Sequence, residues 1–146
     1  MHLIQKGEII LNALLPNESA SKPVDLALLS LIYPLNIVTN DQATRILANV
    51  EAHLVRAKGI IRYPGDQYYN NGAEANWALG FPWLAIIYNQ RSDHTKYNYY
   101  LNKTREAMNE NSELPELYYA GTSIHNENSP LAWAQALYLV AAASES

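Results

Sequence analysis

The feature that most constrains this chain is an alternation between two kinds of predicted helix. Segments that are apolar on nearly all sides are predicted at residues 24–33, 74–88 and 131–143. Two amphipathic segments, each with one apolar and one polar face, lie between them. A helix that is apolar all round has to be buried on several sides, whereas an amphipathic helix lies at a surface. The order therefore predicts an all-α fold with an inner and an outer layer, as in an α/α toroid or solenoid.

Start and stop signals place the two amphipathic helices. Thr39 and Gln42 form a capping box before the first of them, which is expected to end at Gly59. Ser92 or Asp93 can cap the second. These signals predict two surface helices, each following an apolar segment.

Proline and loop-forming residues mark the remaining boundaries. Pro82 predicts a kink or a break within the segment 74–88, and Ser129-Pro130 is a good cap and first-turn pair for the last helix. Residues 1–15 are apolar with mixed periodicity, which predicts a short helix or a ragged extended piece. Residues 16–23 read as a loop. The first 23 residues are thus the least well defined.

Composition bounds the function classes. The 146 residues predict a single domain spanning 1–146, with 49% hydrophobic and 16% charged residues. A net charge of −4 argues against a nucleic-acid groove, which normally needs a basic stripe. The apolar runs are too short for a membrane span, and we expect a cytoplasmic protein. The chain has no cysteine, and its four histidines show no shared spacing, so neither a metal nor a cofactor is predicted.

Two polar loops carry most of the chemistry. Eleven Tyr and three Trp stand against one Phe, a balance that suits half-wet stacking surfaces better than a dry core. We call residues 62–70 the arginine loop and residues 114–121 the carboxylate loop. Each lies between an amphipathic and an apolar helical segment, so in a layered helical fold both are expected on the same rim.

Each candidate residue has a plain structural alternative. Glu116, stiffened by a preceding proline, can be a general base with a tuned pKa, or it can cap a helix or pair with a lysine. Arg62 and Asp66 can bind a neutral polyhydroxylated ligand, or they can form an ion pair that tethers the loop. Glu74 can contact a ligand, or it can favour a helix dipole.

The aromatic residues divide in the same way. Tyr63, Tyr68 and Tyr69 can stack on the apolar faces of sugar rings. Trp77 and Trp83 lie six residues apart on a predicted buried helix, so core packing is expected for at least one of them. No GxSxG or phosphate-binding glycine motif occurs. The remaining enzyme option is acid–base chemistry on sugars.

The two loops resemble those of a known family. The stretch Arg-Tyr-Pro-x-Asp-x-Tyr-Tyr-Asn at 62–70, followed by Pro82-Trp83, is similar to the glucoamylase family, glycoside hydrolase family 15. So is Leu114-Pro115-Glu116 followed by the apolar segment 130–136. The stretch 73–83 looks more like the prokaryotic members and the related phosphorylase kinase α/β subunits. The resemblance covers about residues 24–143.

This resemblance implies the C-terminal half of an (α/α)6 toroid and the inverting hydrolysis of α-glucosidic bonds from non-reducing ends. Glu116 matches the family's general base. Arg62, Asp66 and Tyr68 match positions that line the sugar subsites, and Trp83 matches an aromatic of the pocket wall. The implied substrate is an α-glucan or oligosaccharide.

Three departures limit the match. Leu117 stands where many members have Gln, and Gly65 precedes Asp66 where fungal members have Glu. Nothing in the chain matches the family's general acid, although inverting hydrolysis needs two carboxyl groups about 6.5–9.5 Å apart. Half a toroid would also expose apolar surface, which implies the remainder of the toroid in a longer chain or a homo-oligomer partner. We favour the longer chain, and we expect the 146 residues alone to be inactive because they lack the general acid.

Two other functions stay open beside the hydrolase. A non-catalytic carbohydrate-binding or regulatory domain, like the phosphorylase kinase subunits, would bind glucan without cleaving it. A plain helical scaffold would bind no oligosaccharide.

Overall fold

A computed structural model describes residues 2–145 and is mostly helical, which confirms the all-α fold class. Within these residues no helix is both long enough and apolar enough to cross a membrane. The α-helices are α1 (Leu3–Leu14), α2 (Asn40–His53), α3 (Gly80–Gln90), α4 (His94–Glu106) and α5 (Ala132–Ala142). Two 3-10 helices span Leu26–Leu31 and Ala143–Glu145, and two short strands are β1 (Asn76–Trp77) and β2 (Leu117–Tyr118).

Helix α3 is the centre of the core. Every residue from Gly80 to Tyr88 is buried, and the helix packs against both α4 and α5. Pro82 is the third residue of this helix, where a backbone N–H has no intrahelical partner to lose. The expected kink is therefore wrong, but the alternative of a break within 74–88 is met, because β1 and α3 are separate elements. The helix begins at residue 80 rather than 74, so Pro82 falls in its first turn.

Helix α2 starts as predicted and ends earlier. The Thr39 hydroxyl accepts from the Gln42 amide at 3.2 Å, and the Gln42 side chain accepts from the Thr39 amide at 2.9 Å. The helix stops at His53, and the chain then turns back through an Arg56 N to Gly59 O hydrogen bond of 2.8 Å. The predicted end at Gly59 is wrong because the turn takes up the last residues.

The segment 24–33 is a 3-10 helix over Leu26–Leu31 rather than an α-helix. The Asp25 carboxylate accepts from the Ala27 amide at 2.8 Å and caps this short helix. The last helix also differs from its prediction, because it begins at Ala132 and Ser129 does not cap it. The apolar content of both segments predicts a helix, but it does not distinguish helix types or their exact starts.

Two helices present apolar side chains to solvent. On α5, Ala134, Leu137 and Ala141 are buried, while Trp133 and Leu139 remain 55% and 68% exposed. Helix α1 has no buried residue over its length. The prediction that the last helix is buried all round is therefore wrong for the described residues, since nothing among them covers its outer side.

A short ladder of backbone hydrogen bonds connects the loops at one end of the helices. Ile60 and Trp77 exchange two hydrogen bonds of 3.0 Å, and β1 pairs antiparallel with β2, with Trp77 opposite Leu117. A further bridge joins Tyr118 to His125. The three connections place the segments at Ile60, β1, β2 and His125 side by side in that order.

The ladder leaves no room for a side chain at Gly59. A Cβ atom there would lie 2.4 Å from the Trp77 carbonyl oxygen, which is backbone and cannot move away without breaking the ladder. We expect Gly59→Ala to lower the free energy of unfolding by about 1–3 kcal/mol. Gly7→Ala is the matched control, since a Cβ atom at that helical position meets nothing within 4 Å. It should gain about 0.5–1 kcal/mol. Urea unfolding followed by circular dichroism compares the two, and equal effects would contradict the prediction.

Candidate functional site

The structure brings the arginine loop and the carboxylate loop together. The Tyr69 ring lies 6.0 Å from the Tyr119 ring, measured between centroids. The amide of Ala78, just after β1, donates to the Glu116 carbonyl at 3.1 Å. These contacts place both loops along one edge, as the layered arrangement predicted.

Arg62 and Asp66 form a forked ion pair. Nε and Nη2 of Arg62 lie 2.5 and 2.6 Å from the two carboxylate oxygens of Asp66. Asp66 is only 1% exposed and also accepts from the Tyr68 amide at 3.1 Å. Asp66 therefore forms the ion pair that tethers the loop and is not free to bind a ligand, because its carboxylate is buried and both oxygens accept hydrogen bonds.

The pair fixes the charge of both groups. Burial alone would raise the pKa of Asp66, but the hydrogen bonds from Arg62 and the Tyr68 amide, with the Arg62 charge, lower that pKa below its ordinary value. The same hydrogen bond to Asp66 raises the pKa of Arg62. Arg62 keeps a third of its side chain exposed. Its guanidinium carbon lies 4.8 Å from the Trp77 ring and 4.9 Å from the Tyr68 ring.

A mostly apolar groove of about 750 Å³ runs beside this pair. Two of the predicted site residues, Arg62 and Trp83, line it. The Trp83 indole donates to the Tyr33 carbonyl at 2.8 Å, and its ring lies 5.4 Å from that of Trp133 on α5. The other predicted site residues lie outside the groove lining: Tyr63, Asp66, Tyr68 and Glu116.

The tyrosines of the arginine loop differ in how much ring surface they leave accessible to a ligand. Tyr68 is 42% exposed and stacks on Trp77 at 5.7 Å with an interplanar angle of 28°. Tyr63 carries the Lys22 ammonium 3.8 Å from its ring centroid, so one ring face is already occupied. Tyr69 donates its hydroxyl to Glu127 at 2.5 Å. Tyr68 therefore has the most accessible ring surface of the three.

Glu116 is half-buried and held by two asparagines. Nδ2 of Asn126 and Nδ2 of Asn128 donate to the same carboxylate oxygen, Oε2, at 2.6 and 2.8 Å. The Glu116 amide also donates to the Asn128 carbonyl at 2.9 Å. None of the ion pairs within residues 2–145 involves Glu116, and Leu117 begins a strand rather than a helix. Neither structural alternative, the lysine pair or the helix cap, describes this carboxylate.

Sequence reasoning missed the asparagines. The signal available was the pair of asparagines on either side of Glu127 in the loop that follows the carboxylate loop. Asparagine is so frequent in loops that this pattern alone does not indicate a function. The asparagines could be connected with Glu116 only once the pairing across the ladder was known.

A second missed feature is the Trp77 indole. Its N–H is buried and has no hydrogen-bond partner among residues 2–145. Trp77 is not on the expected buried helix but on β1, and it lines the groove. An unpaired buried donor of this kind is uncommon in proteins and marks a place where a ligand acceptor would be favourable.

Two further carboxylates near the loops have structural partners. Glu127 accepts from the Tyr69 hydroxyl, which lowers the pKa of Glu127 and raises that of Tyr69 to about 12. This hydrogen bond gives Glu127 a structural role in holding Tyr69. Glu74 accepts from the Gly65 amide at 2.8 Å, which lowers the pKa of Glu74. It lies before β1 and not at a helix start, so the expected dipole role is wrong. Among the described residues, no cluster of three or more His, Asp or Glu could hold a metal ion.

Comparison with known proteins links the chain to glycoside hydrolases. No family model matches it. The uncharacterized glycosyl hydrolase MJ1610 of Methanocaldococcus jannaschii is 25% identical over 134 residues, covering 82% of this chain and 21% of that protein. A wild-type glycosidase of known structure superposes with a TM-score of 0.75 at 19% identity, covering 96% of this chain and 43% of that one. A variant glycosidase in complex with glucose gives the same values.

These similarities support a relationship to glycoside hydrolases, and the superpositions show a shared fold. The chain spans about a fifth of the curated relative and about two-fifths of the solved glycosidases. The matched proteins are thus considerably longer than the chain.

The buried ion pair predicts how stability depends on pH. The pKa of Asp66 is lower in the folded state than in the unfolded state, so its contribution is fully present above the unfolded pKa of about 4. That contribution is lost as the pH falls through the lower folded pKa. Asp66→Asn should therefore reduce the free energy of unfolding by about 1.5–3 kcal/mol at pH 7, with a smaller loss as the pH falls below 4.

Urea unfolding between pH 2.5 and 7 tests this expectation. Asp41→Asn, at an exposed position in the first turn of α2, serves as the matched control and should change stability much less. A difference between wild type and Asp66→Asn that stays constant across this range would contradict the assignment.

Proposed function

We propose that this chain is part of a glucoamylase-like glycoside hydrolase of family 15, cleaving α-glucosidic bonds from non-reducing ends with inversion. The observation that carries the proposal is Glu116. It is a half-buried carboxylate held by two amide donors, beside a loop that presents an arginine and an exposed tyrosine. The motif resemblance and the glycosidase names of similar proteins support the same reaction class.

The proposed role of Glu116 is the general base. In inverting hydrolysis a carboxylate removes a proton from water as the water attacks the anomeric carbon, while an acid protonates the leaving oxygen. Glu116 is suited to the first task because its carboxylate is fixed in place and is not neutralised by an ion pair. A carboxyl group for the second task is not found in the two loops.

The sugar would bind between the loop residues and the groove. Arg62 supplies exposed guanidinium donors, and the Tyr68 ring offers a stacking face for a pyranose. Trp77 and Trp83 form part of the groove wall, and the unpaired Trp77 indole N–H would favour a sugar hydroxyl as acceptor. Tyr63 and Asp66 support this loop rather than contact sugar directly. A glucose-containing complex of a similar glycosidase supports a glucose-type ligand.

We further propose that the remainder of an (α/α)6 toroid covers the groove and supplies the general acid. The greater length of the solved glycosidases and the exposed apolar side of α5 support this arrangement. In a longer chain these helices would precede the present ones. A homo-oligomer partner is the alternative source of cover.

A second candidate is a non-catalytic carbohydrate-binding domain, like the phosphorylase kinase subunits. The presence of only one suitably placed carboxylate in the two loops favours it. In a longer protein, the sequence upstream of this chain distinguishes the two functions. An acidic residue in a loop that leads into an earlier inner helix would support catalysis, and the lack of such a residue would support binding alone.

Glu116→Gln in the full chain, meaning the longer protein that includes the part supplying the general acid, tests the proposed role. We expect glucose release from maltose and longer α-glucans to fall by roughly 10²- to 10⁴-fold in kcat, because the variant cannot accept the proton from water. The control is Glu110→Gln, at an exposed position near the carboxylate loop, which should leave turnover unchanged. Proton NMR of the first product should show β-glucose, the inverted anomer.

Three outcomes separate the candidate functions. Normal turnover by Glu116→Gln would remove Glu116 from the mechanism. A wild type that binds maltose in calorimetry and releases no glucose would support the carbohydrate-binding domain. A wild type that shows neither binding nor hydrolysis would leave the plain helical scaffold as the remaining candidate function.

A further inference from the structure

We propose that the segment Asn126-Glu127-Asn128 positions the reacting carboxylate and the sugar-stacking loop at the same time. Asn126 and Asn128 would select which oxygen of Glu116 accepts the proton, and Glu127 would hold Tyr69. This inference rests on the proposed function and adds to it the residues that orient the general base.

Backbone pairing sets the geometry of the segment. The Asn126 amide donates to the Leu117 carbonyl at 3.2 Å, and the Glu116 amide donates to the Asn128 carbonyl at 2.9 Å. The segment therefore lies antiparallel to the chain at Glu116, extending the ladder of β1 and β2. The chain bends at Glu127, where the register shifts by one residue. Both asparagine side chains reach Glu116, while the Glu127 side chain accepts from Tyr69.

The two oxygens of Glu116 have different surroundings. Both asparagine amides donate to Oε2, at 2.6 and 2.8 Å. Oε1 accepts no hydrogen bond from any residue in the described range 2–145. Two charge-assisted hydrogen bonds engage the lone pairs of Oε2, so proton acceptance falls to Oε1. They also stop the carboxylate from rotating, which keeps Oε1 in one place for an attacking water.

The Glu127 side chain of the segment holds the arginine loop. The Tyr69 hydroxyl donates to Glu127 Oε1 at 2.5 Å, and the Tyr69 ring contacts that of Tyr68 edge to face at 4.7 Å. Tyr69 has a φ of 52°, a conformation that most side chains avoid, and the hydrogen bond to Glu127 helps to hold it there. Breaking this hydrogen bond should loosen the stacking surface without disturbing Glu116.

The segment therefore predicts two separable kinetic effects. Asn128→Ala in the full chain should lower kcat by roughly 10- to 100-fold with KM within about twofold, the effect of losing one hydrogen bond to a charged group in the reacting state. Glu127→Gln should instead raise KM by roughly two- to tenfold with kcat little changed. The substrate is maltose, and the exposed Asn98→Ala on α4 is the control for a simple asparagine deletion.

An isosteric variant separates orientation by hydrogen bonding from a merely structural role. Asn128→Asp keeps the side-chain shape, but at neutral pH it replaces the donor with a second carboxylate next to Oε2. We expect it to lose at least as much kcat as Asn128→Ala. Activity retained by Asn128→Asp, or by both variants, would overturn the positioning role while leaving the proposed hydrolase intact. Asn128 is exposed, so these variants avoid the folding risk of changing the buried Asn126.

Side-chain NMR provides a readout that does not depend on turnover. In the full chain labelled with ¹⁵N-asparagine, Glu116→Gln should shift the Nδ2–H signals of Asn126 and Asn128, whereas Glu110→Gln should leave them in place. Unchanged signals would overturn the inference even in an active enzyme. If Glu116→Gln shifts these signals but the wild type hydrolyses no α-glucoside, the contacts are real. The proposed function and the positioning role would then both be wrong.

Discussion

The arrangement of this site depends on the backbone hydrogen bonds of Trp77. On one side the Trp77 amide and carbonyl pair with Ile60, which leads into the arginine loop. On the other side β1 pairs with β2, next to Glu116. The helices alone would leave these loops as separate connections. A few ladder hydrogen bonds, buried at one end of the helical core, join the loops into one surface. The close approach at Gly59 shows how tightly this ladder is packed.

Much of the fold was predictable because its signals are local. The capping box of Thr39 and Gln42 is specified by side chains within four residues, and the apolar run at α3 follows from composition alone. The apolar pattern predicts a helix over 74–79, but this stretch contains β1, whose partner strand lies about 40 residues further along the chain. Apolar periodicity in a short segment does not contain information about such a distant partner.

The site was predictable to the same degree. The two loops and their shared edge followed from the order of helix types, and the pair of Arg62 and Asp66 followed from their spacing. The asparagines around Glu116 did not, because they approach it through tertiary pairing. The groove was not predicted either, since Trp133 reaches Trp83 only through the packing of α5 on α3.

Two carboxylates near this edge illustrate how environment assigns a role to a side chain. Asp66 is buried, and both of its oxygens are engaged by a guanidinium fork, so its charge stabilises the loop and is not available for proton transfer. Glu116 is half-buried, and its donors are neutral amides on a single oxygen. A neutral donor orients a carboxylate without supplying a compensating positive charge. The contrast between an ion-paired carboxylate and an amide-held one is the physical reason to place proton transfer at Glu116 and loop support at Asp66.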